Sequence, residues 1–128
     1  YSFYFYDIMS QTEESSLEFI SDHIIEIIVD NRKEMKELSD NYTTFETFEQ
    51  VEFLMEIEEV LELIKDLKED ESAAKLTIIK EKYTEFLTPE NFTNEGVYLD
   101  ACNSICQELK RVDQLLAIIR KHNSRWGV

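Results

Sequence analysis

The sequence predicts an all-α, compact multi-helix bundle formed by a single domain. Apolar residues recur every three or four positions along most of the chain, a spacing that places them on one face of a helix. Only two glycines and one proline interrupt these periods in 128 residues. A chain of this length fits one domain and can bury roughly two thirds of its unfolded surface. We therefore treat residues 1–128 as one helical unit.

The first part of the chain predicts two helices. The first runs from about residue 13 to 29, and Ser10 and Glu13 have the spacing of a capping box at its start. Asp30 is a suitable N-cap for a short second helix, which frays near residues 40–42. The expected inward-facing residues of the two helices are Leu17, Ile20, Ile24, Ile27, Ile28, Met35 and Leu38.

A long third helix is expected at the centre of the bundle. Thr43 and Glu46 form a second capping-box pattern, and the helical period then continues to about Lys68. The polar run Asp70, Glu71 and Ser72 predicts a break before a fourth helix over residues 73–87. The apolar residues of the third helix are Phe48, Val51, Phe53, Leu54, Ile57, Val60, Leu61, Ile64 and Leu67. The fourth helix is expected to bury Leu76, Ile79, Tyr83, Phe86 and Leu87.

The stretch from residue 83 to 100 is predicted to be a shaped loop, because it holds the only proline and one of the two glycines. Pro89 cannot continue the fourth helix, Gly96 tolerates backbone angles that other residues resist, and Asp100 is a natural N-cap. Loops on a rigid helical frame often carry binding residues, so this loop is the first candidate for a site. A fifth helix is expected from Asp100 and a sixth after it, with apolar residues Ile105, Leu109, Val112, Leu115, Leu116 and Ile119.

The charge distribution argues against nucleic-acid binding. The formal net charge is −15, whereas phosphate contacts need clustered lysines and arginines. Residues 46–71 hold 11 acids and two lysines, while residues 107–128 hold five bases and two acids. The acidic helix leaves open one function, binding of a basic partner segment.

Several functional classes are disfavoured by what the sequence lacks. With glycines only at positions 96 and 127, the chain has no pattern for a phosphate-binding loop or a nucleophile elbow. We expect no catalytic residues, and the pair Glu58 and Glu59 is expected on a solvated helix face. Cys102 and Cys106 are expected to be buried core thiols rather than metal ligands, so neither a cofactor nor a metal is expected.

The same features suggest where the chain acts. No apolar run approaches the ~20 residues of a membrane span, and the start YSFYFY lacks the basic region of a signal peptide. Reduced cysteines fit a reducing compartment. We expect a cytoplasmic location, with any membrane association left to flanking regions.

Three blocks of the sequence resemble the RGS family, the regulators of G-protein signalling. Residues 49–59, EQVEFLMEIEE, are similar to the family's Glu-Asn-x-x-Phe-Trp pattern with a Glu-Glu pair after it. Residues 82–89, KYTEFLTP, resemble its Tyr-x-x-Phe-Leu-Ser-Pro, and residues 97–102, VYLDAC, resemble its Val-Asn-Leu-Asp-Ser-Cys. The blocks occur in the family's order. Residues 112–114 and 124–126 are more weakly similar to the end of the RGS box, so the resemblance covers residues 45–126.

The resemblance implies an all-helical bundle whose inter-helix loops bind the switch segments of a G-protein α subunit, Gα. Family members accelerate GTP hydrolysis without supplying chemistry of their own, because the nucleotide, magnesium and catalytic side chains belong to the GTPase. In the family, an asparagine in each of two loops is responsible for much of this acceleration. The positions that face Gα by this resemblance are Glu49, Gln50, Tyr98, Leu99, Asp100 and Ser104.

This chain departs from the family where contact with Gα is expected. Gln50 and Tyr98 replace the two asparagines, and Ser104 replaces an arginine. Asp100 is retained, while Leu54 replaces a core tryptophan. A tyrosine cannot present an amide to the partner.

These departures predict an RGS-like interaction or scaffold domain with weak or no GTPase-activating function. An active Gα-directed domain with atypical loops and an unrelated acidic bundle remain the alternatives. The RGS interpretation requires Gln50 and Tyr98 to line one surface.

Overall fold

A computed structural model describes residues 13–41 and 44–126 of the chain, and it confirms the all-α fold class. These residues contain four α-helices and one short 3₁₀ turn, with no strand among them. The elements are α1 (Glu13–Asn41), α2 (Phe45–Lys65), α3 (Glu69–Phe86), the 3₁₀ turn (Pro89–Asn91) and α4 (Glu95–Trp126).

The first two expected helices are one continuous helix, α1. Asp30 does not interrupt it, because an aspartate inside a helix costs less than ~1 kcal/mol relative to alanine and no glycine or proline lies between residues 13 and 41. The apolar stripe continues past Asp30 through Met35 and Leu38, which pack against the core. Burial is confirmed for Ile20, Ile24, Ile27 and Ile28, while Ser10 and the side chain of Leu17 lie outside what the structure describes.

The N-cap of α2 lies one residue later than expected. Thr44 is the N-cap, and its Oγ1 accepts a hydrogen bond from the Thr47 N–H at 3.4 Å; Thr43 lies outside the described residues. Two apolar residues of α2 lie outside the core, since Phe48 is 43% exposed and Val51 is only half-buried. Burial is confirmed for Phe53, Leu54, Ile57, Val60, Leu61 and Ile64.

The break between α2 and α3 lies at residues 66–68, earlier than predicted. Leu67 has a left-handed backbone with φ 61°. Its N–H donates to Ile64 O at 2.9 Å, and Lys68 N–H donates to Leu63 O at 2.9 Å, which is the hydrogen-bond pattern of a Schellman C-cap. Residues 70–72 therefore lie in the first turn of α3, where acidic side chains are favoured by the helix dipole.

The predicted end of α3 is confirmed, whereas the predicted start of α4 is wrong. Helix α3 ends at Phe86 and Pro89 begins the 3₁₀ turn. Asn94 Oδ1 then accepts a hydrogen bond from Val97 N–H at 2.9 Å, so Asn94 caps α4 and Asp100 lies within it. Gly96 is helical, and a Cβ there would lie 3.2 Å from Asn94 Oδ1.

Helix α4 also joins the two helices expected after residue 100. Its apolar positions keep the helical period without a breaker, and all but the partly buried Leu109 are buried, namely Ile105, Val112, Leu115, Leu116 and Ile119. Helix α2 packs against each of the other three helices, as its predicted central place requires. Helices α1 and α4 make few close approaches, and a polar cleft lies between them.

Candidate functional site

One end of the bundle brings together the start of α2, the end of α3 and the start of α4. A hydrogen bond links this end directly, because the hydroxyl of Thr93, two residues before α4, donates to the Glu46 carboxylate on α2. Glu46 is buried, and the hydrogen bond from Thr93 lowers the pKa of its carboxyl group. We call this end of the molecule the loop end, defined by residues 45–50, 86–94 and 95–100.

A row of aromatic rings holds the loop end together. The Phe45 and Phe86 ring centroids lie 6.0 Å apart, Phe86 and Phe92 lie 4.9 Å apart, and Phe92 and Tyr98 lie 5.5 Å apart. The row thus runs from the first residue of α2 to the first turns of α4. It fixes the Tyr98 ring relative to the rest of the bundle.

The structure places Gln50 and Tyr98 on helices rather than in loops, yet at the same end of the bundle. Gln50 lies one turn after Glu46, on the side of α2 that meets Thr93. Tyr98 lies one turn after the cap residue Asn94. Gln50, Glu49 and Tyr98 are all half-buried.

The remaining predicted contact residues divide between two surfaces. Leu99 and Asp100 are exposed at the loop end, with Leu99 55% exposed. Ser104, one turn after Asp100, is also exposed, but it lines the cleft between α1 and α4. Ser104 is therefore shared between the predicted site and a second feature of the fold.

The environment of Tyr98 shifts the pKa of its hydroxyl group. Hydrogen bonding with the Cys102 thiol, one turn along α4, raises the pKa of the Tyr98 hydroxyl. The prediction of two core cysteines is wrong for Cys106, which is exposed, while Cys102 is half-buried. The helix turns Cys106 away from the core because Ala101 and Ile105 occupy the buried side.

Sequence reasoning missed two exposed aromatic side chains at the loop end. Phe45 is 57% exposed and Phe48 is 43% exposed. Their helical spacing resembles that of core residues, so only their positions at helix starts could have indicated exposure. Sequence reasoning also missed Phe92, which joins Phe86 to Tyr98 in the aromatic row. Its position between Pro89 and the cap residue Asn94 could have indicated a packing role.

Tyr83 packs at the centre of the bundle beside this end. Its ring centroid lies 4.9 Å from that of Phe53, and the side chain has 0% exposure. Burial, with a smaller contribution from the Glu56 carboxylate, raises the pKa of Tyr83. The hydroxyl lies outside hydrogen-bonding geometry with every described group.

The acidic face of α2 is largely engaged within the molecule. Arg32 Nε and the Glu58 carboxylate lie 2.8 Å apart, and Lys75 Nζ and Glu59 lie 2.5 Å apart. Glu56 and Glu62 pair with Lys82 and Lys65 at 3.4 and 3.0 Å. Four carboxylates of the face thus have cationic partners on α1, α3 or α2 itself.

Within residues 13–41 and 44–126, no group of three or more His, Cys, Asp and Glu side chains is arranged to hold a metal ion. None of the helices found there combines the length and apolar character that crossing a membrane requires.

Compared with protein-family models, with curated proteins and with solved structures, the chain shows no significant match. The resemblance to RGS domains therefore depends on the three sequence blocks and on how their residues are arranged.

Proposed function

We propose that this chain is an RGS-like protein-interaction domain that binds a Gα subunit through its loop end and gives weak or no acceleration of GTP hydrolysis. The observation that carries the proposal is the position of Gln50 and Tyr98. The two residues that replace the family's asparagines lie at one end of the bundle, on α2 and α4, and Thr93, two residues before α4, donates a hydrogen bond to Glu46 on α2.

The loop end has the composition of a protein-binding surface. Phe45, Phe48 and Leu99 expose apolar side chains there, and Asp100 adds an exposed carboxylate. Protein interfaces commonly combine a small apolar centre, enriched in aromatic residues, with polar groups around it. This arrangement supports binding of a partner protein.

Weak or absent activation follows from the side chains at the two asparagine positions. Activation of this kind holds the GTPase switches in their transition-state arrangement, an effect of preorganised electrostatics that requires accurate placement. Gln50 is one methylene longer than asparagine. Tyr98 has no amide, and its ring is fixed against Phe92 where a switch glutamine should approach. The domain would act only through the partner's active site, so it is not itself an enzyme.

The acidic-bundle alternative receives less support. It requires the carboxylates of residues 46–71 to be available to a basic partner, but Glu56, Glu58, Glu59 and Glu62 already pair with internal cations. Exposed ion pairs of this kind are weak, so a strongly basic partner could still compete for them. Such binding would be salt-sensitive and independent of Asp100.

Binding to Gα in its GDP and GDP–aluminium fluoride forms tests the proposal. We expect Leu99→Asp to weaken binding, because it replaces an exposed apolar side chain of the loop end with a charge. Ile78→Asp is the matched control, since Ile78 is 64% exposed on α3 and outside the loop end. Asp100→Asn should also weaken binding.

Three outcomes separate the candidate functions. Binding that Leu99→Asp weakens and Ile78→Asp does not supports the loop end. Tight, selective binding to the aluminium fluoride form together with faster hydrolysis favours the active alternative. Binding to a basic peptide that depends on salt but not on either loop-end variant favours the acidic bundle.

A further inference from the structure

The cleft between α1 and α4 is a built polar site away from the aromatic row. It is lined by Asp30, Asn31 and Glu34 on α1 and by Ser104, Glu108 and Arg111 on α4, among others. Its volume is about 440 Å³, within the range of roughly 300–1,000 Å³ typical of ligand sites. Asp30, Glu34 and Ser104 are exposed, so the cleft is open to a partner.

The charges of the cleft favour a cation. Arg111 is its one base among the described lining residues, and it is already bound by Glu108, with Nη2 lying 2.6 Å from each carboxylate oxygen. Asp30 and Glu34 are the remaining acids that line the cleft. They lie on the same face of α1 because they are four residues apart. Partial burial and then the nearby Glu108 charge raise the pKa of Glu34, and the positive charge of Arg111 opposes this rise with a smaller effect.

Asn31 provides an independent indication of a ligand. Its side chain is only 3% exposed, it lines the cleft, and its Nδ2 has no hydrogen-bond partner among the described groups. A buried donor without a partner costs about 1–3 kcal/mol. A ligand that supplies an acceptor beside its positive charge would satisfy Asn31 and the two carboxylates together.

We propose that the cleft binds an arginine residue in a basic segment of a partner protein. Asp30 and Glu34 pair with the guanidinium group, and Asn31 Nδ2 donates to a backbone carbonyl of the segment. Arginine fits better than lysine because its planar guanidinium offers five donors that can bridge two carboxylates. A metal ion fits less well, since no described cluster is arranged to hold one. This site does not depend on the Gα proposal.

Titration of the ¹⁵N-labelled chain with the capped peptide acetyl-Gly-Arg-Gly-amide, followed by NMR, tests the proposal. We expect saturable shifts at the cleft residues and a downfield shift of the Asn31 side-chain NH₂ signals. The matched peptide with citrulline in place of arginine has the same shape without the charge, and it should not bind. Asp30→Asn and Glu34→Gln should each weaken binding at least about threefold, because each removes a charge-assisted hydrogen bond.

Glu85→Gln is the control for loss of a charge, since Glu85 is exposed on α3 and outside the cleft. It should leave the titration unchanged. All these changed side chains are exposed, so loss of folding does not confuse the result. The proposal is overturned if shifts at the cleft do not saturate, if citrulline binds equally, or if Glu85→Gln weakens binding as much as Glu34→Gln. Tighter binding of free L-arginine than of the peptide would indicate a small-molecule site and contradict a protein segment.

Discussion

The hydrogen bond from Thr93 to Glu46 is the residue-scale contact that joins the loop end to α2. Thr93→Val removes the donor while keeping the side-chain shape. We expect it to lower the free energy of unfolding at pH 7 by about 1 kcal/mol, the usual size for one such bond. Urea denaturation of both proteins measures the difference.

The pH dependence of that difference follows from the pKa of Glu46, which the bond lowers in the folded state. A lowered pKa stabilises the fold above the unfolded value, about 4.3 for glutamate, and this stability is lost as pH falls through the folded value. The gap between wild type and Thr93→Val should therefore narrow below about pH 4. Thr77→Val is the control, since Thr77 bonds only to a carbonyl of its own helix; an equal pH dependence there would contradict the assignment.

Tyr83 tests whether an unpaired hydroxyl weakens the core. Its hydroxyl is buried without a hydrogen-bond partner among the described groups, and such a group costs roughly 1–3 kcal/mol. Tyr83→Phe should therefore leave the free energy of unfolding unchanged or raise it by up to about 1 kcal/mol. A fall of more than about 1 kcal/mol would instead show that the hydroxyl donates to Glu56 in solution.

At the scale of the elements, the start of α4 decides how Tyr98 and Asp100 are presented. Because Asn94 caps the helix, Asn94→Ala should lower the free energy of unfolding by about 1 kcal/mol. Asp100→Ala should change it by less than about 0.5 kcal/mol, the usual effect of a surface substitution. The reverse order in thermal denaturation would mean that α4 begins at Asp100.

The turn between α2 and α3 makes a second prediction at this scale. Leu67 has φ 61°, a conformation that costs a non-glycine residue roughly 1–2 kcal/mol. Leu67→Gly removes this cost but also some packing against the core, so the two effects should nearly cancel. Leu67→Val keeps the strain and adds β-branching, so it should be clearly less stable than Leu67→Gly in urea. Equal stability would contradict a left-handed Leu67.

The helix boundaries show which local signals the sequence could supply. Pro89 removes a backbone donor, so the end of α3 was predictable. Asp30 and Asp100 are good caps in isolation, but an aspartate can also lie inside a helix when the apolar stripe continues through it. The Leu67 turn carries no glycine, so its signal depended on tertiary packing and was not readable from residue types.

At the scale of the whole molecule, the fold class and most of the core were predictable, because a 3.6-residue period marks the apolar face that a helix usually turns to the core. The exposed residues Phe48 and Cys106 were not, since the same period describes a helix face whether or not another element covers it. The α1–α4 cleft was also not predictable, because it results from how two distant helices pack. Gln50 and Tyr98 lie at the same end of the bundle, on α2 and α4, and the RGS resemblance stays a prediction.

We propose that the loop end is an RGS-like surface whose weak or absent activating function follows from the residues at positions 50 and 98. Single-turnover GTP hydrolysis by a panel of Gα subunits, with an active RGS domain as positive control, measures this function. The wild-type chain should leave the hydrolysis rates within about twofold of those of Gα alone. Gln50→Asn combined with Tyr98→Asn should raise at least one rate by about threefold or more, because activators act by ordering the switches. A strong increase with the wild-type chain, or no gain from the double variant, would contradict the claim.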